Sequence, residues 1–416
     1  MLGVGFLAAT HPSTRARTDY KFSFASTNSE PGYLHISPDD IYSADVGYGF
    51  EPGANIVVVN REKTGFVTSD KPFYFSVALP EGNYNATLKM GDTAGESTTT
   101  VKAELRRLML ENIHTDPGRT VTRTITVNIR TPAISTGGRV HLKAREATTE
   151  AWAWDEKLTL EFNGNRPCID SIQISRADVP TVYLLGDSTV CDQPLEPWNN
   201  WGQMLTRFFK SGVAVSNQAE SGETADSSLR AHRLDKVLST MKAGDYMFIQ
   251  FGHNDMKEKG AGVGPYTSYT KNLKMFVDGA RSKGGFPVLV TSMNRKTMDS
   301  TGHITNSLKD YPDAVRRLAK KENVPLIDLN AMSKTFYEAI GPKELSKAFV
   351  DGTHHSAYGS YELAKCVVQR ILDDKLDLAK FIVDEFKPFD PAHPDAIGTI
   401  DIPASPKVST TAPSGS

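Results

Sequence analysis

The sequence predicts two domains, an all-β sandwich of the jelly-roll type followed by an α/β domain built on a parallel sheet. A length of 416 residues allows two or three domains, at about 150 residues per domain. Apolar and polar residues alternate along much of residues 19–177. From residue 180 onward, continuous apolar runs alternate with helical patterns instead. This change of pattern marks the predicted domain boundary.

The first domain has the pattern of short antiparallel strands. Phe73, Phe75 and Val77 alternate with polar residues, and similar alternation recurs around residues 125–129 and 158–162. A period of two residues is typical of strands with one buried face. Turn-forming residues interrupt these runs, and helical periodicity is nearly absent. We therefore predict a β-sandwich or jelly roll. The pattern leaves open whether this domain binds sugar or braces the second domain.

The second domain, residues 180–390, alternates strands with helices. Four apolar runs are continuous, at residues 182–185, 246–251, 288–290 and 324–327. The stretches between them carry apolar residues three and four apart, as amphipathic helices do. Continuous apolar strands between such helices indicate a parallel sheet covered on both faces. Residues 402–416 are rich in Pro, Ser and Thr, and we predict that this tail is disordered.

The composition argues against two classes of partner. The chain has 47 Lys and Arg residues against 49 Asp and Glu residues, so no basic field favours nucleic acid. No apolar run approaches the roughly 18 residues of a membrane-spanning helix. Residues 1–9 resemble the apolar part of a signal peptide but lack a basic start, and a disordered terminus is an equally good interpretation.

The three cysteines, Cys168, Cys191 and Cys366, form no disulfide framework that the spacing reveals. One disulfide with a free thiol and three free thiols are both compatible with the sequence. No Cys or His spacing is typical of a zinc site. We expect neither a metal nor an organic cofactor.

The first apolar run of the second domain ends at Gly186-Asp187-Ser188. A serine at the end of a parallel strand lies where open α/β sheets place their chemistry. Taken alone, such a serine is more often a helix N-cap than a nucleophile. A serine nucleophile also needs a base that removes its proton. The functional interpretation therefore depends on a base elsewhere in the chain.

A candidate base lies in Asp351-Gly352-Thr353-His354. Asp351 and His354 are three residues apart, so within one helical turn they face the same side. A carboxylate in that position orients and stabilises the imidazole, as the third member of a triad does. The alternative is an ordinary Asp-Gly turn. The sequence thus offers Ser188 as nucleophile, His354 as base and Asp351 as orienting carboxylate.

Acyl transfer also requires hydrogen-bond donors for the oxyanion. The Ser188 backbone N–H lies near a predicted helix start, where N–H groups favour an anion. Gly222 follows an apolar run at 213–215 and brings a second N–H close without a side chain. Asn254 follows the run at 246–251 and offers a side-chain amide, although an Asn-Asp pair is commonly a loop or cap. All three donors follow strands at one edge of the sheet.

Together these motifs resemble the SGNH (GDSL-type) hydrolase superfamily. Its ordered motifs are Gly-Asp-Ser, a later glycine, Gly-x-Asn-Asp and Asp-x-x-His, and over residues 180–375 this sequence has them at 186–188, Gly222, 252–255 and 351–354. The resemblance implies a flavodoxin-like three-layer α/β/α fold without the Gly-x-Ser-x-Gly elbow of α/β-hydrolases. It also implies a catalytic triad and an oxyanion hole, formed by Ser188, Asp351 and His354 and by Ser188, Gly222 and Asn254.

Within the superfamily, the sequence most resembles rhamnogalacturonan acetylesterases, through residues 186–190, 252–255, 283–291 and 351–354. That pattern has proline after Thr291, where this sequence has Ser292. The N-terminal domain resembles a galactose-binding-like β-sandwich, through residues 48–50 and 79–84. These resemblances imply a serine esterase that removes acetyl groups from rhamnogalacturonan, a plant cell-wall pectin, through an acyl-enzyme on Ser188.

An acidic polymer would favour cations at the cleft, and Arg295 and Lys257 are the candidate substrate contacts. Solvated surface charge is the alternative interpretation of both. Alternative functions are an SGNH esterase or lipase of other specificity, an acetylxylan esterase, or an inactive carbohydrate-binding protein. The intact triad motif argues against the last, and no apolar lid-like segment favours a lipid. Because pectin lies outside cells, we expect a secreted enzyme that acts on acetylated polysaccharide as a monomer.

Overall fold

A computed structural model describes residues 17–25, 31–61 and 65–414. It confirms the fold class, a β-rich N-terminal domain followed by a domain with a parallel sheet. Residues 1–9, interpreted above as part of a signal peptide, lie outside the described residues. Within those residues, no helix is long and apolar enough to cross a membrane.

The N-terminal domain is a sandwich of two sheets. Its strands are β1 (Tyr20–Ser23), β2 (Leu34–His35), β3 (Tyr48–Phe50), β4 (Val57–Asn60), β5 (Gly65–Thr68), β6 (Phe73–Ala78), β7 (Gly82–Asp92), β8 (Ser97–Ala103), β9 (Arg107–Thr115), β10 (Arg119–Ile129), β11 (Lys157–Asn163) and β12 (Ile169–Arg176). One sheet has the order β10-β7-β12-β1-β2, with β5 on β12 and β4 on β5, and the other has the order β3-β6-β11-β8-β9. Aromatic side chains fill the space between the sheets, where the Phe75 ring centroid lies 5.1 Å from that of Phe22 and 5.2 Å from that of Phe50.

Residues 130–156, between β10 and β11, leave the sandwich and cross onto the C-terminal domain. We call them the connecting segment. The His141 N–H donates a hydrogen bond to the Ala231 carbonyl (3.0 Å). The Lys236 ammonium donates in turn to the Ala133 carbonyl (2.6 Å). Backbone groups of the connecting segment therefore contact the second domain.

The C-terminal domain alternates strands and helices along the chain. Its elements are β13 (Thr181–Gly186), α1 (Trp201–Leu205), β14 (Ala214–Asn217), α2 (Ala225–Arg230), α3 (Arg233–Thr240), β15 (Tyr246–Gln250), α4 (Thr270–Ser282), β16 (Phe286–Val290), α5 (Tyr311–Glu322), β17 (Leu326–Ile327), α6 (Leu329–Ala348) and α7 (Ala357–Asp373). The sheet is parallel, with the flavodoxin-like order β14-β13-β15-β16-β17.

Helices cover both faces of this sheet, because successive strand residues point to opposite sides. Leu184 packs in a cluster with side chains of α1, α6 and α7. Its neighbour Leu185 packs in a second cluster with side chains of α3, α4 and α5. The domain is therefore a three-layer α/β/α sandwich. The carboxyl ends of β13, β14 and β15 meet at one edge, where loops can hold a site.

Two buried arginines join the domains. An Nη1–H of Arg107 donates to the Val215 carbonyl (2.9 Å), and its Nε lies 3.2 Å from the Asp192 carboxylate. An Nη1–H of Arg106 donates to the Trp198 carbonyl (3.1 Å). Buried cations are tolerated when such partners satisfy them. The two domains therefore contact each other through a polar interface.

The tail at residues 402–416 was predicted to be disordered, and within its described part Pro403 and Ser405 contact the sandwich. Ser405 is buried and its Oγ–H donates to the Glu161 carboxylate (2.8 Å). The buried ammonium of Lys102 donates to the Pro403 carbonyl (2.7 Å). The tail thus supplies partners that these buried charges need. A Pro- and Ser-rich composition carries no sign of this role, because a backbone carbonyl and one hydroxyl perform it.

The three cysteines are free thiols. Cys168, Cys191 and Cys366 are all buried and none is paired in a disulfide. Burial raises the pKa of the Cys168 thiol to about 11, so it is protonated at neutral pH. These side chains therefore pack as small apolar groups.

Candidate active site

Ser188 lies in a tight turn directly after β13, and its side chain is fully buried. The Asp187 carboxylate fixes this turn, because it accepts hydrogen bonds from the Thr189 N–H (2.9 Å) and hydroxyl (2.7 Å). Gly186 is required here: a Cβ at this position would lie 2.6 Å from the Gln250 carbonyl oxygen. The Gly-Asp-Ser motif thus holds the serine at the carboxyl edge of the sheet.

The structure brings Ser188, His354 and Asp351 together in one line of hydrogen bonds. The Ser188 Oγ lies 2.8 Å from His354 Nε2, and His354 Nδ1 lies 2.8 Å from Asp351 Oδ2. An ionised carboxylate only accepts hydrogen bonds, so Nδ1 carries the proton and Nε2 of the neutral ring accepts from the serine. A ring held in this tautomer is ready to act as a base.

Asp351 is held as a carboxylate by its own loop. Its Oδ1 accepts hydrogen bonds from the N–H groups of Thr353 (2.7 Å) and His354 (2.6 Å). Burial by itself raises the pKa of Asp351, but the hydrogen bonds from His354 and Thr353 outweigh burial and lower the pKa to about 2. Asp351 therefore stays ionised at every pH near neutrality.

Two backbone N–H groups near Ser188 remain unused. Neither the Ser188 nor the Gly222 N–H donates a hydrogen bond to any described residue. Gly222 follows β14 with a φ of 77°, a left-handed conformation that glycine adopts without strain. Gln193 links the two loops, because its Nε2 donates to the Ser188 carbonyl (3.3 Å) and to the Ser221 hydroxyl (3.2 Å).

Asn254 follows β15 and lies beside the same loop. Its Nδ2 donates one hydrogen to the Glu223 carbonyl (3.0 Å), which leaves the second hydrogen for a ligand. The side chain is 6% exposed. Ser188, Gly222 and Asn254 thus offer three donors on adjoining loops, as an oxyanion hole requires.

Comparison with known proteins agrees with this arrangement. Residues 184–360 match the GDSL-like lipase/acylhydrolase family. The chain is also 41% identical over 219 residues to the rhamnogalacturonan acetylesterase RhgT of Bacillus subtilis (strain 168), a match that covers 49% of this chain and 94% of that protein. The chain belongs to the GDSL-like lipase/acylhydrolase family. It is therefore a carboxylic ester hydrolase, and the predicted resemblance is confirmed.

Other relatives of this GDSL-family enzyme match different shares of the chain. The probable rhamnogalacturonan acetylesterase YesY of the same bacterium is 34% identical over 49% of this chain and 98% of that protein. The uncharacterized esterase YxiM is 28% identical over 85% of this chain and 90% of that protein. Residues 20–112 match a galactose-binding domain-like family of β-agarases and YXIM-type esterases. The predicted identity of the N-terminal domain is thereby also confirmed.

The two cations predicted to contact substrate lie near the site but already have partners within this GDSL-family enzyme. Arg295 donates to the Thr353 hydroxyl (2.8 Å) and to the His253 carbonyl (3.1 Å), so it joins two loops of the site. Burial lowers the pKa of Arg295. The Lys257 ammonium lies 3.4 Å from Asn254 Oδ1. Substrate contact by either residue stays a prediction.

Several side chains at the site carry no sequence signal of their own. The Trp198 ring packs perpendicular to the His354 ring, with centroids 5.8 Å apart. Gln193 and Trp198 both lie in an irregular loop after Ser188. Their closeness to Ser188 in the sequence is the one signal that could have placed them at the site. His355 follows His354 in the chain, and its Nε2 lies 2.6 Å from the Tyr337 hydroxyl. Within the described ranges, no group of three or more His, Cys, Asp or Glu side chains is placed to hold a metal ion.

Proposed function

We propose that this enzyme is a serine carbohydrate esterase that removes acetyl groups from rhamnogalacturonan through an acyl-enzyme on Ser188. The observation that carries the chemistry is the line of hydrogen bonds from Ser188 through His354 to Asp351, next to two N–H groups that donate to none of the described residues. The substrate is inferred from the 41% identity that extends over 94% of RhgT.

In the first step, His354 Nε2 takes the Ser188 proton while Oγ attacks the acetyl carbonyl. The oxyanion accepts hydrogen bonds from the Ser188 N–H, the Gly222 N–H and the Asn254 amide. Asp351 stabilises the imidazolium that forms, because its carboxylate accepts from Nδ1. His354 then gives its proton to the departing sugar oxygen, and the acetyl group stays on Ser188.

In the second step, a water molecule takes the place of the sugar hydroxyl. His354 accepts a proton from this water as it attacks the acyl carbonyl, and the same donors stabilise the second oxyanion. Collapse of the intermediate breaks the bond to Ser188 Oγ, which recovers the proton from His354. Acetate leaves and the resting site is restored. Every proton therefore passes through one imidazole.

The polymer specificity is proposed on charge as well as on similarity. Galacturonate residues carry carboxylates, and Arg295 and Lys257 place positive charge beside the site. We also propose that the enzyme is secreted, since pectin lies outside cells, and that it works as a monomer. Fractionation of the native host and light scattering of the purified protein test these two proposals.

Release of free acid from two polymers and one lipid of known composition tests the substrate. Acetylated rhamnogalacturonan, acetylated xylan and a triglyceride are incubated with equal enzyme, and free acid is measured over time. We expect the highest kcat/KM on rhamnogalacturonan and none above background on the triglyceride. Faster release from xylan would overturn the proposed polymer while leaving the ester chemistry intact. The Ser188→Ala variant provides the background rate for each substrate.

A further inference from the structure

We propose that Lys143 and Arg145, on the connecting segment, are positioning residues that orient the Gly222 N–H toward the oxyanion. This inference rests on the proposed acyl transfer at Ser188. Because the connecting segment joins two strands of the N-terminal domain, the inference makes that domain part of the catalytic apparatus. Both residues lie outside the two family matches, which cover residues 20–112 and 184–360.

Both cations converge on one carbonyl group. The Lys143 ammonium donates to the Ser221 carbonyl oxygen (2.6 Å), and the Arg145 guanidinium donates to the same oxygen. Arg145 also donates from Nε to the Glu220 carboxylate (2.7 Å), and Lys143 pairs with Glu223 (2.8 Å). Glu220, Ser221 and Glu223, on both sides of Gly222, are therefore held by cations of the connecting segment.

The bound carbonyl belongs to the same peptide unit as the Gly222 N–H. In a trans peptide the C=O and N–H bonds point in opposite directions, so fixing the oxygen of Ser221 fixes the direction of the Gly222 N–H. The cations also polarise the peptide unit, which strengthens its N–H as a donor. A donor fixed before the reaction stabilises the oxyanion without the cost of reorientation.

Buried contacts hold the connecting segment in place, and these contacts fix the positions of Lys143 and Arg145. Glu146 is 1% exposed and accepts hydrogen bonds from the Lys143 N–H (2.8 Å), from Arg233 (2.7 Å) and from the Trp154 indole (2.9 Å). Arg233 belongs to α3 of the C-terminal domain. Glu146 therefore holds the segment at a fixed distance from the Gly222 loop.

A purely structural role would predict a different response to mutation. Loss of either cation would then lower stability without a specific loss of rate, because Glu220 and Glu223 are buried and removal of a cation leaves a buried carboxylate less well compensated. Loss of orientation at Gly222 would instead slow the chemical step and leave binding of a small ester nearly unchanged. The ratio of kcat to KM effects therefore separates the two roles.

The experiment compares Lys143→Ala, Arg145→Ala and the double variant on 4-nitrophenyl acetate and on its thionoester analogue, in which C=S replaces C=O. Removal of a whole oxyanion donor costs about 10²–10³ in kcat, so we expect about 10-fold for each single variant and about 10²-fold for the double variant. KM should change less than kcat. Sulfur is a weaker hydrogen-bond acceptor, so the oxoester should lose more rate than the thionoester.

Three further variants complete the design. Arg145→Lys and Lys143→Gln keep a donor near the Ser221 carbonyl and should recover part of the lost kcat. Arg139→Ala removes an exposed arginine from the same segment and should leave kcat unchanged. Thermal melting of each variant identifies any loss of fold, and the conservative variants keep the test available if an alanine variant unfolds.

An unchanged kcat in the folded double variant would overturn the inference, as would equal losses on the oxoester and the thionoester. Failure of the proposed function gives a different result: the Ser188→Ala variant would then keep full activity, whatever the residues at 143 and 145. Since both assays use a small aryl ester, the outcome does not depend on the natural polymer.

Discussion

The Nε2 atom of His354 lies 2.8 Å from the Oγ atom of Ser188, and both side chains are fully buried. Asp351 sets the ring tautomer from the other side, and Trp198 packs edge-to-face against the ring. The base is thus aligned with the hydroxyl before any ester is bound. Such preorganisation is what makes a weakly nucleophilic hydroxyl reactive.

Replacement of Ser188 by alanine should abolish turnover and leave the fold unchanged. We expect kcat on 4-nitrophenyl acetate to fall by about 10⁴-fold or more, because single removal of a triad member disables the whole unit. The melting temperature should stay within a few degrees of wild type. Ser282→Ala, an exposed serine at the end of α4, is the matched control. Wild-type turnover in the Ser188 variant would exclude this serine as nucleophile.

Replacement of Asp351 by asparagine should keep the loop and still slow catalysis. An amide at this position can donate to His354 Nδ1 and so favour the wrong ring tautomer. We expect kcat to fall by about 10³–10⁴-fold, with KM little changed. Steady-state kinetics on the aryl ester measure both constants. A loss below tenfold would show that the carboxylate does not set the tautomer.

Asp351 also makes the free energy of unfolding depend on pH. The hydrogen bonds from His354 and Thr353 outweigh burial and lower the folded-state pKa to about 2, from 3.8. A lowered acid pKa stabilises the fold above the unfolded value, and this contribution is lost as the pH falls from about 4 to about 2. We expect the unfolding free energy of Asp351→Asn to fall less than that of wild type over this interval. Denaturant titrations at several pH values measure the difference.

The motifs of the second domain could be predicted because the chemistry fixes both residue type and order. Ser188, Gly222, Asn254 and His354 each follow a strand of the parallel sheet or precede its last helix, and strand ends meet at one edge. Four short motifs therefore sufficed to anticipate which loops converge. The fold class followed from the switch between period-two and continuous apolar runs.

The contributions of the first domain could not be predicted in this way. Lys143, Arg145 and Arg106 reach the second domain from irregular segments and turns, where no periodicity reports burial or direction. Several of their partners are backbone carbonyls, which leave no trace in residue type. The contact made by the tail could not be predicted for the same reason, because the Pro403 backbone carbonyl accepts a hydrogen bond from the buried Lys102. Polar contacts between residues this far apart in the sequence become visible only in the three-dimensional structure.

Replacement of Asn254 by alanine should weaken the oxyanion hole. The side chain donates to the Glu223 carbonyl and keeps a second hydrogen free. We expect kcat to fall by about 10²-fold with a smaller change in KM, the usual consequence of losing one oxyanion donor. Asn306→Ala, an exposed loop asparagine, is the matched control. An equal loss of rate on the thionoester analogue would argue against a direct contact with the oxyanion.

His355 should make the protein less stable as the pH falls below neutrality. Burial lowers the pKa of His355 to about 3, from 6.5, so the folded ring stays neutral where the unfolded ring takes up a proton. Its contribution to stability is present above about pH 6.5 and declines as the pH falls toward 3. In His355→Gln, the slope of unfolding free energy against pH should decrease by up to about 1.4 kcal/mol per pH unit in this interval. An unchanged slope would mean that His355 is protonated in the folded protein.

Replacement of Arg106 by alanine should destabilise the interface between the domains. The guanidinium is buried and donates to the carbonyls of Gln193 and Trp198, at 3.1 Å each, and it pairs with Glu196. Without Arg106 the Glu196 charge keeps only the more distant Lys102 ammonium (3.8 Å) as a cation among the described residues, and breaking a buried pair costs up to about 3–5 kcal/mol. Because Trp198 packs against His354, we also expect a lower kcat at temperatures where the variant is folded.

Chemical denaturation measures this loss, and Arg123→Ala is its matched control, since Arg123 is exposed and donates only to the neighbouring Thr122 carbonyl among the described residues. If both variants lost the same small amount, the Arg106 contacts would carry no more energy than a surface arginine. If Arg106→Ala were destabilised but kept wild-type kcat, the loop that carries Trp198 would hold its position without help from the first domain. The combined loss of stability and kcat is the result expected from an arginine that joins the sandwich to the active-site loop.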